Sequence, residues 1–127
     1  MEGRLIHADI TSRIIGAAIE VHRELGPGLL ENAYEECLCY ELSQAGLKFQ
    51  RQLELPVRYK RIRLDCGYRA DLVIEGCVLV ELKAVEAINP VHEAQLLTYL
   101  RISQIKVGLL INFNCETLKD GIHRRVL

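Results

Sequence analysis

The sequence lacks long apolar runs, paired-cysteine spacing, a large net charge and a supply of aromatic side chains, and each shortage removes a class of protein. Its longest apolar stretches, such as Val78-Leu79-Val80 and Val107 to Ile111, fall far short of the roughly 20 residues that a membrane helix needs, so no membrane partner is expected. Met1 to Thr11 carries Glu2 and Asp9 and has no apolar core, which is unlike a secretory signal; a cytoplasmic protein is expected. Five cysteines (Cys37, Cys39, Cys66, Cys77, Cys115) form an odd set without a C-x-x-C pair. Cys37 and Cys39 stand two apart on a predicted helix and so point to different faces. No disulfide framework, zinc site or iron–sulfur cluster is expected, only small buried thiols in a reducing compartment. Aromatic residues make up 6% of the chain, too few for a base-stacking platform. No helix is recognisable as a groove reader, so base-sequence specificity is not expected from this chain alone. Repeats, low-complexity segments and linkers are also missing, and 127 residues suit one domain over 1–127.

What is present is an ordinary globular composition, 50% hydrophobic and 26% charged, enough to bury a single core. The net charge of −1 conceals an asymmetry: residues 1–46 sum to −5 and residues 47–69 to +5. The basic segment holds Lys48, Arg51, Arg58, Lys60, Arg61, Arg63 and Arg69. A local basic ribbon on a neutral protein suits a polyanion gripped at one edge. It equally suits a solvated hairpin whose cations deter edge-to-edge pairing, and the ribbon alone does not separate the two.

Apolar periodicity sets the elements. Ile10, Ile14, Ala18, Val21 and Leu25 recur at helical steps, predicting a helix from Asp9, as N-cap, to Leu25, broken by Gly26-Pro27-Gly28. A second helix is predicted from Leu30 to Ala45, with Leu30, Tyr34, Cys37, Leu38, Leu42 and Ala45 on one face and Gly46 as its stop. The period then changes to two. One strand is predicted over 48–60, with Pro56 marking an edge or bulge. A second runs over 61–74, Glu75-Gly76 turns the chain, and Cys77 to Val85 forms a third. Asn89-Pro90 reads as the cap and first residue of a helix lasting to Ser103. Val107 to Phe113 reads as a strand buried on both faces, and Ile122 to Leu127 as a last strand. The class is α/β with a mixed sheet built on an antiparallel meander.

The hairpin over 69–85 carries the chemistry. A two-residue loop would pair Ile74 with Cys77 and put Glu81 on the face of Leu72 and Ile74. A three-residue loop with a left-handed residue pairs Ile74 with Val78, Leu72 with Val80 and Ala70 with Leu82. One face is then apolar throughout, so hydrophobic patterning selects the second register. It sets Asp71 opposite Glu81 and Arg69 opposite Lys83. Two facing acids repel unless a cation lies between them, and a hard divalent ion such as Mg²⁺ or Mn²⁺ fits oxygen ligands of this kind. Lys83, on the same face, could orient or help deprotonate a metal-bound water. A surface ion-pair lattice of Arg69, Asp71, Glu81 and Lys83 is the competing account.

Asp71, Glu81-Leu82-Lys83 and Gln95-Leu96-Leu97-Thr98-Tyr99, in that order, resemble the PD-(D/E)XK nuclease superfamily in its RecB-like branch. Gly28-Leu29-Leu30-Glu31-Asn32-Ala33-Tyr34 is similar to the signature of the small GxxExxY proteins within it. The likeness spans nearly the whole chain; Ala70 stands where the name-giving proline would be. The resemblance implies a restriction-endonuclease-like core in the order αβββαβ with an extra N-terminal helix. It implies Asp71, Glu81 and the backbone carbonyl of Leu82 as metal ligands, with Glu31 as a further acidic ligand. Lys83 would position the attacking water, and Gln95 and Tyr99 would orient the site or the substrate backbone. Independently of the resemblance, Gln95 and Tyr99 stand four apart and share a helix face. Glu31 also has a simpler explanation, since a first-turn glutamate is favoured by the helix dipole. Tyr34 reads as core, and His92, one turn before Gln95, as a weak candidate for the cleft.

The resulting expectation is a metal-dependent phosphodiesterase acting on nucleic acid, DNA ahead of RNA, with Arg58, Lys60, Arg61, Arg63 and Arg69 on the substrate backbone. With so little surface, a second copy or a protein partner is a candidate for completing the grip. The alternatives are a nucleic-acid-binding or scaffold protein that keeps this fold without turnover, and a metal-binding module whose basic ribbon contacts an acidic protein.

Overall fold

The structure is a computed structural model that describes residues 6–127. Asp9 was the expected cap of the first helix, but α1 (Ala8–Leu25) starts one residue earlier, behind a left-handed His7, and Asp9 sits in its first turn. There it complements the helix dipole without capping. A short loop leads to α2 (Glu31–Gln44), whose buried residues are Tyr34, Glu35, Leu38, Cys39 and Leu42. Leu30, placed by periodicity on the buried face, is instead exposed just ahead of the helix. The loop is tied from inside the core. Tyr34 Oη donates to Gly26 O (2.6 Å) and accepts from the Leu29 N–H (3.1 Å). Its ring stacks on Phe113 at 4.4 Å between centroids. Tyr34 thereby fixes where Glu31 begins α2.

The two long strands predicted over 48–60 and 61–74 are each cut in two. β1 (Phe49–Glu54) ends before Leu55-Pro56, β2 (Val57–Tyr59) and β3 (Ile62–Leu64) form a separate two-stranded ribbon, and β4 (Arg69–Ile74) resumes the main sheet. Pro56 has no N–H to give a ladder, and Gly67 takes φ +82°, a turn that other residues rarely make. Alternation of apolar and polar residues runs straight through these breaks, which is why period-two reading could not locate them. β5 (Val78–Lys83), α3 (Pro90–Ser103), β6 (Val107–Asn112), a 3₁₀ turn over Leu118–Gly121 and β7 (Ile122–Val126) complete the chain.

The five-stranded sheet has the order β1-β4-β5-β6-β7 and is antiparallel except for the β5–β6 pair. α1 and α2 cover one face over Leu72, Ile74, Val78, Val80, Leu82, Leu109 and Ile111. α3 covers the other over Val73, Leu79 and Leu110 through Leu96, Tyr99 and Leu100. β6 is buried along its whole length, as an almost wholly apolar strand between two helical layers must be. Asn89 caps α3 by accepting from the Val91 and His92 N–H groups, with Pro90 at the first position. His92 completes that capping box by accepting from the Asn89 N–H at 3.1 Å, so its ring is accounted for at the helix start and not in a cleft. The thiols are less uniform than expected: Cys39 is buried, Cys66 is exposed, and all five are free. Among the described residues no helix is long and apolar enough to cross a membrane.

Two glycines differ sharply in what a side chain would meet. A Cβ on Gly121 would lie 2.1 Å from Asn112 O, whereas one on Gly16, exposed in mid-α1, would meet nothing within 4 Å. Gly121→Ala should therefore cost at least about 2 kcal/mol by overpacking the end of β6. Gly16→Ala should stabilise by up to about 1 kcal/mol through helix propensity. Urea unfolding of the two variants beside the parent chain checks both signs.

Candidate active site

The three-residue loop selected by patterning is the one that forms. Glu75 and Gly76 both have positive φ (53° and 67°), and Cys77 N–H donates to Ile74 O at 3.0 Å. Ile74 pairs with Val78 and Leu72 with Val80. One step further, level with Asp71 and Glu81, the backbone ladder gives way to side chains. The Asp71 N–H donates to Glu81 Oε2 and the Leu82 N–H donates to Asp71 Oδ2, each at 2.8 Å. The two acids hold each other's strand in place of the missing backbone pair.

The same level reverses the facing of the sheet. Leu72 lies in the core under α1 and α2, but Ala70, expected beside it, packs with Leu55, Tyr99 and Leu100 under α3. On β1, Gln52 stands level with Asp71, between the pairs Arg51–Leu72 and Leu53–Ala70. Its φ is +50°, a left-handed conformation unusual for a residue with a side chain and one that tends to mark functional sites. The turn at Gln52 carries its amide to Asp71 Oδ1 (3.3 Å) and to Glu35 Oε1 on α2 (3.0 Å). Glu35, itself buried, also takes Arg51 Nη2 at 3.0 Å, and Arg51 reaches Glu36 as well. Arg51 is thus committed to α2 and leaves the basic ribbon. Gln52 and Glu35 were not anticipated as neighbours of the site. The spacing Glu31-x-x-x-Glu35 was visible, but only the β1–β4 register brings Gln52 level with Asp71.

Glu81 is 6% exposed and Asp71 and Lys83 are half-buried. Burial, reinforced by the charge of Asp71, raises the Glu81 carboxyl from its ordinary 4.5 to about 8. Asp71 is also raised, chiefly by burial, although the Leu82 N–H and the Gln52 amide pull the other way. Glu31 stands near enough at the start of α2 for its charge to raise both carboxyls, and Lys83 near enough to lower both. Gln95 Nε2 donates to Tyr99 Oη at 3.1 Å, so the pair predicted to share a helix face does so. Burial raises the Tyr99 hydroxyl, with Glu81, Tyr68 and Asp71 adding to it, and Tyr99 packs in one cluster with Ala70, the residue before Asp71. Lys83 is anchored through its backbone: it pairs with Asn112 and its carbonyl accepts from the Phe113 N–H at 2.9 Å. The buried Asn112 amide in turn holds both backbone groups of Val85 (3.0 and 2.9 Å). Asn112 is another positioning residue that no sequence signal singled out.

The expected cations lie elsewhere. Arg58, Lys60, Arg61 and Arg63 are exposed on the β2–β3 ribbon and Arg69 is exposed at the start of β4. Among the described residues, Asp71 and Glu81 have no Lys or Arg within 4.0 Å, and the bridges present are Arg23–Glu20, Arg51 with Glu35 and Glu36, Arg63–Asp65 and Arg125–Glu93. The surface ion-pair lattice therefore does not form.

A buried carboxylate pair with no cation bonded to it has the chemistry of a hard-metal site. Glu81 Oε1 accepts no hydrogen bond from the described residues, and Asp71 Oδ1 takes only the long Gln52 contact. Both are oxygens that a divalent ion could use. Among the described residues no group of three or more His, Cys, Asp and Glu side chains is arranged to hold a metal. An ion here would rest on two carboxylates, a backbone carbonyl and waters, a sparse set that suits Mg²⁺ or Mn²⁺ better than a metal needing a full protein cage.

Because folding raises the Glu81 carboxyl, the metal-free native chain binds a proton that the unfolded chain releases between pH 4.5 and about 8. The contribution of this group is most favourable below pH 4.5 and is lost as pH rises through that window. In EDTA, Glu81→Gln should therefore gain stability relative to the parent chain as pH is raised from 5 to 8. Thermal melts of both proteins across that range would refute this if the difference between them stayed flat.

Comparison with curated proteins and with solved structures gives no match. A family profile does match: residues 8–125 correspond to the PD-(D/E)XK nuclease superfamily, whose members generally use divalent metals. The match covers the mixed sheet, both helical layers and the D…ExK hairpin. This chain belongs to the PD-(D/E)XK nuclease superfamily.

Proposed function

We infer that the protein is a divalent-metal-dependent nuclease that hydrolyses phosphodiester bonds, with DNA ahead of RNA as substrate. The observation that carries this reading is the cation-free pair of half-buried Asp71 and buried Glu81 where the β4–β5 ladder opens. Superfamily membership supports a nuclease-type phosphodiesterase. Asp71, Glu81 and the Leu82 carbonyl would hold Mg²⁺ or Mn²⁺; Glu31, expected as a further ligand, does not join the two acids in one metal-holding group and would act through its charge or a bridging water. When bound, such an ion supplies positive charge for the phosphate oxygens and lowers the pKa of a coordinated water. Lys83 Nζ orients the attacking water by hydrogen bonding and offsets the negative charge that grows on phosphorus-bound oxygen. The water oxygen forms a bond to phosphorus in line with the departing ester oxygen, whose bond to phosphorus breaks. Of the water's two protons, one stays on the new phosphate hydroxyl or passes to solvent, and the leaving oxygen takes one. Gln95 and Tyr99, bonded to each other, position the scissile phosphate's neighbour from α3. Arg58, Lys60, Arg61, Arg63 and Arg69 hold the strand.

Mn²⁺ should raise the melting temperature of the parent chain, by about 2.7 kcal/mol of stability when present at about a hundred times its Kd. Asp71→Asn should lose that response yet be no less stable than the parent in EDTA, because it removes one of two repelling acids. Lys83→Ala should keep the Mn²⁺ response while cleavage falls at least about a hundredfold, since a group that orients water is not a ligand. A parent chain that shows neither a Mn²⁺ shift nor cleavage of single- or double-stranded DNA or RNA would refute the reading. A Mn²⁺ shift without cleavage would point to the fold kept for binding alone.

The ribbon cations are testable separately. Neutralising Arg58, Lys60, Arg61 and Arg63 together should weaken binding to every nucleic acid and reduce the slope of log K against log salt. An unchanged slope in a binding titration would leave these cations as a solvated edge.

A further inference from the structure

The chain leaves the main sheet at Pro56 and returns at Arg69, and the excursion builds one wall of a cleft whose other wall is α3. The cleft measures about 550 Å³ and is lined by Val57, Leu64, Tyr68, Thr98, Tyr99 and Ile102, with Gln95 at one end. That volume lies within the range of small-ligand sites, about 300–1,000 Å³, and a mostly apolar lining with a few polar groups is typical of them. Tyr68 is 45% exposed and meets the buried Tyr99 at 6.1 Å between ring centroids, tilted by 58°. Its ring is held against Tyr99 and remains nearly half exposed. Tyr99 lines this cleft and packs in one cluster with Ala70, the residue before Asp71, so the cleft adjoins the strand that carries the acid.

The ribbon is basic but its cations do not line the cleft: Val57 and Leu64 face it, so the next pair, Arg58 and Arg63, stands on the ribbon's opposite face, and Lys60 and Arg61 form its tip. Among the described residues their only carboxylate bridge is Arg63 Nε to Asp65 Oδ1 at 3.5 Å, on exposed side chains. A half-exposed aromatic ring in an apolar cleft, with exposed cations at the tip of the ribbon that walls it, is complementary to a nucleotide: a flat base carrying phosphate. A base within a duplex cannot present its face, because stacking and pairing cover it.

We propose that this cleft is a base-binding subsite, in which an unpaired nucleobase lies on the Tyr68 ring, Lys60 and Arg61 at the ribbon tip attract its phosphate backbone, and the adjoining phosphodiester is led past Gln95 and Tyr99 to Asp71, Glu81 and Lys83. The substrate class is then single-stranded or locally unpaired nucleic acid. The delivery of the phosphodiester rests on the nuclease reading above; occupancy of the cleft by a base does not. Few aromatics in the sequence had argued against any stacking platform, and the tertiary fold concentrates two of them at one place beside the strand that carries Asp71.

The test measures binding of the full chain in EDTA to a labelled single strand, to the same strand with abasic sites, and to the matching blunt duplex. The parent should prefer the intact single strand. Tyr68→Ala should bind it about tenfold more weakly, bind duplex as the parent does, and lose nothing further on the abasic strand. Tyr68→Phe should restore the parent affinity. Leu64→Glu, which places a negative charge at the exposed rim, should reproduce the selective loss if Tyr68→Ala melts prematurely. Equal parent affinity for all three probes, or an equal loss for Tyr68→Ala on intact and abasic strands, would overturn the proposal. So would a change of oligomeric state in Tyr68→Ala with single-strand affinity intact, which would make the cleft a protein contact. Cleavage of the same strand in Mn²⁺ separates the two readings: cleavage without base-dependent binding rejects the subsite alone, and base-dependent binding without cleavage rejects the nuclease reading alone.

Discussion

Two hydrogen bonds at 2.8 Å hold β4 and β5 together where their backbone ladder stops, and both run from a main-chain N–H to a carboxylate, at Glu81 and Asp71. Most of what is distinctive in the fold follows from that exchange. With acids standing in for carbonyls, the strands open at this level, Ala70 changes face relative to Leu72, and Gln52 on the next strand turns left-handed to reach Asp71. The opening brings two carboxylates together between strands of an otherwise apolar core.

Burying two acids side by side works against folding, and the rest of the molecule is arranged to hold them there. The layers under α1–α2 and under α3 are filled by fully buried Leu, Ile and Val side chains on both faces of the sheet. Glu35, Arg51 and Gln52 form a polar brace from α2 to Asp71, and Asn112 clamps the segment that follows Lys83. Tyr34 locks the loop that brings Glu31 to the start of α2. Each of these restricts backbone or side-chain freedom around the acids before any ligand arrives, which is the condition for electrostatic preorganisation.

Charge is distributed with a purpose that sequence totals concealed. Arg51 is absorbed by α2, while Arg58, Lys60, Arg61 and Arg63 ride on a ribbon that stands apart from the main sheet. The acids and these cations thus belong to separate sheets, and the apolar cleft of Tyr68 and Tyr99 lies against the ribbon, so the cations do not pair with the acids they accompany.

The hairpin register, the apolar helical faces, the Asn89-Pro90 start of α3 and the buried character of β6 were legible in the sequence, because each is a local pattern whose period matches its element. The order of Asp71, Glu81, Lys83, Gln95 and Tyr99 along the chain was legible for the same reason, and patterning alone set the two acids level. The breaks at Pro56 and Gly67 were not, since alternation continued across them and period two cannot tell one strand from two. Nor could the sequence show that Glu35 braces Asp71 through Gln52, that Asn112 pins the end of β5, or that Tyr68 meets Tyr99. Those contacts join residues from separate elements, and only the packing of the sheet against both helical layers decided them.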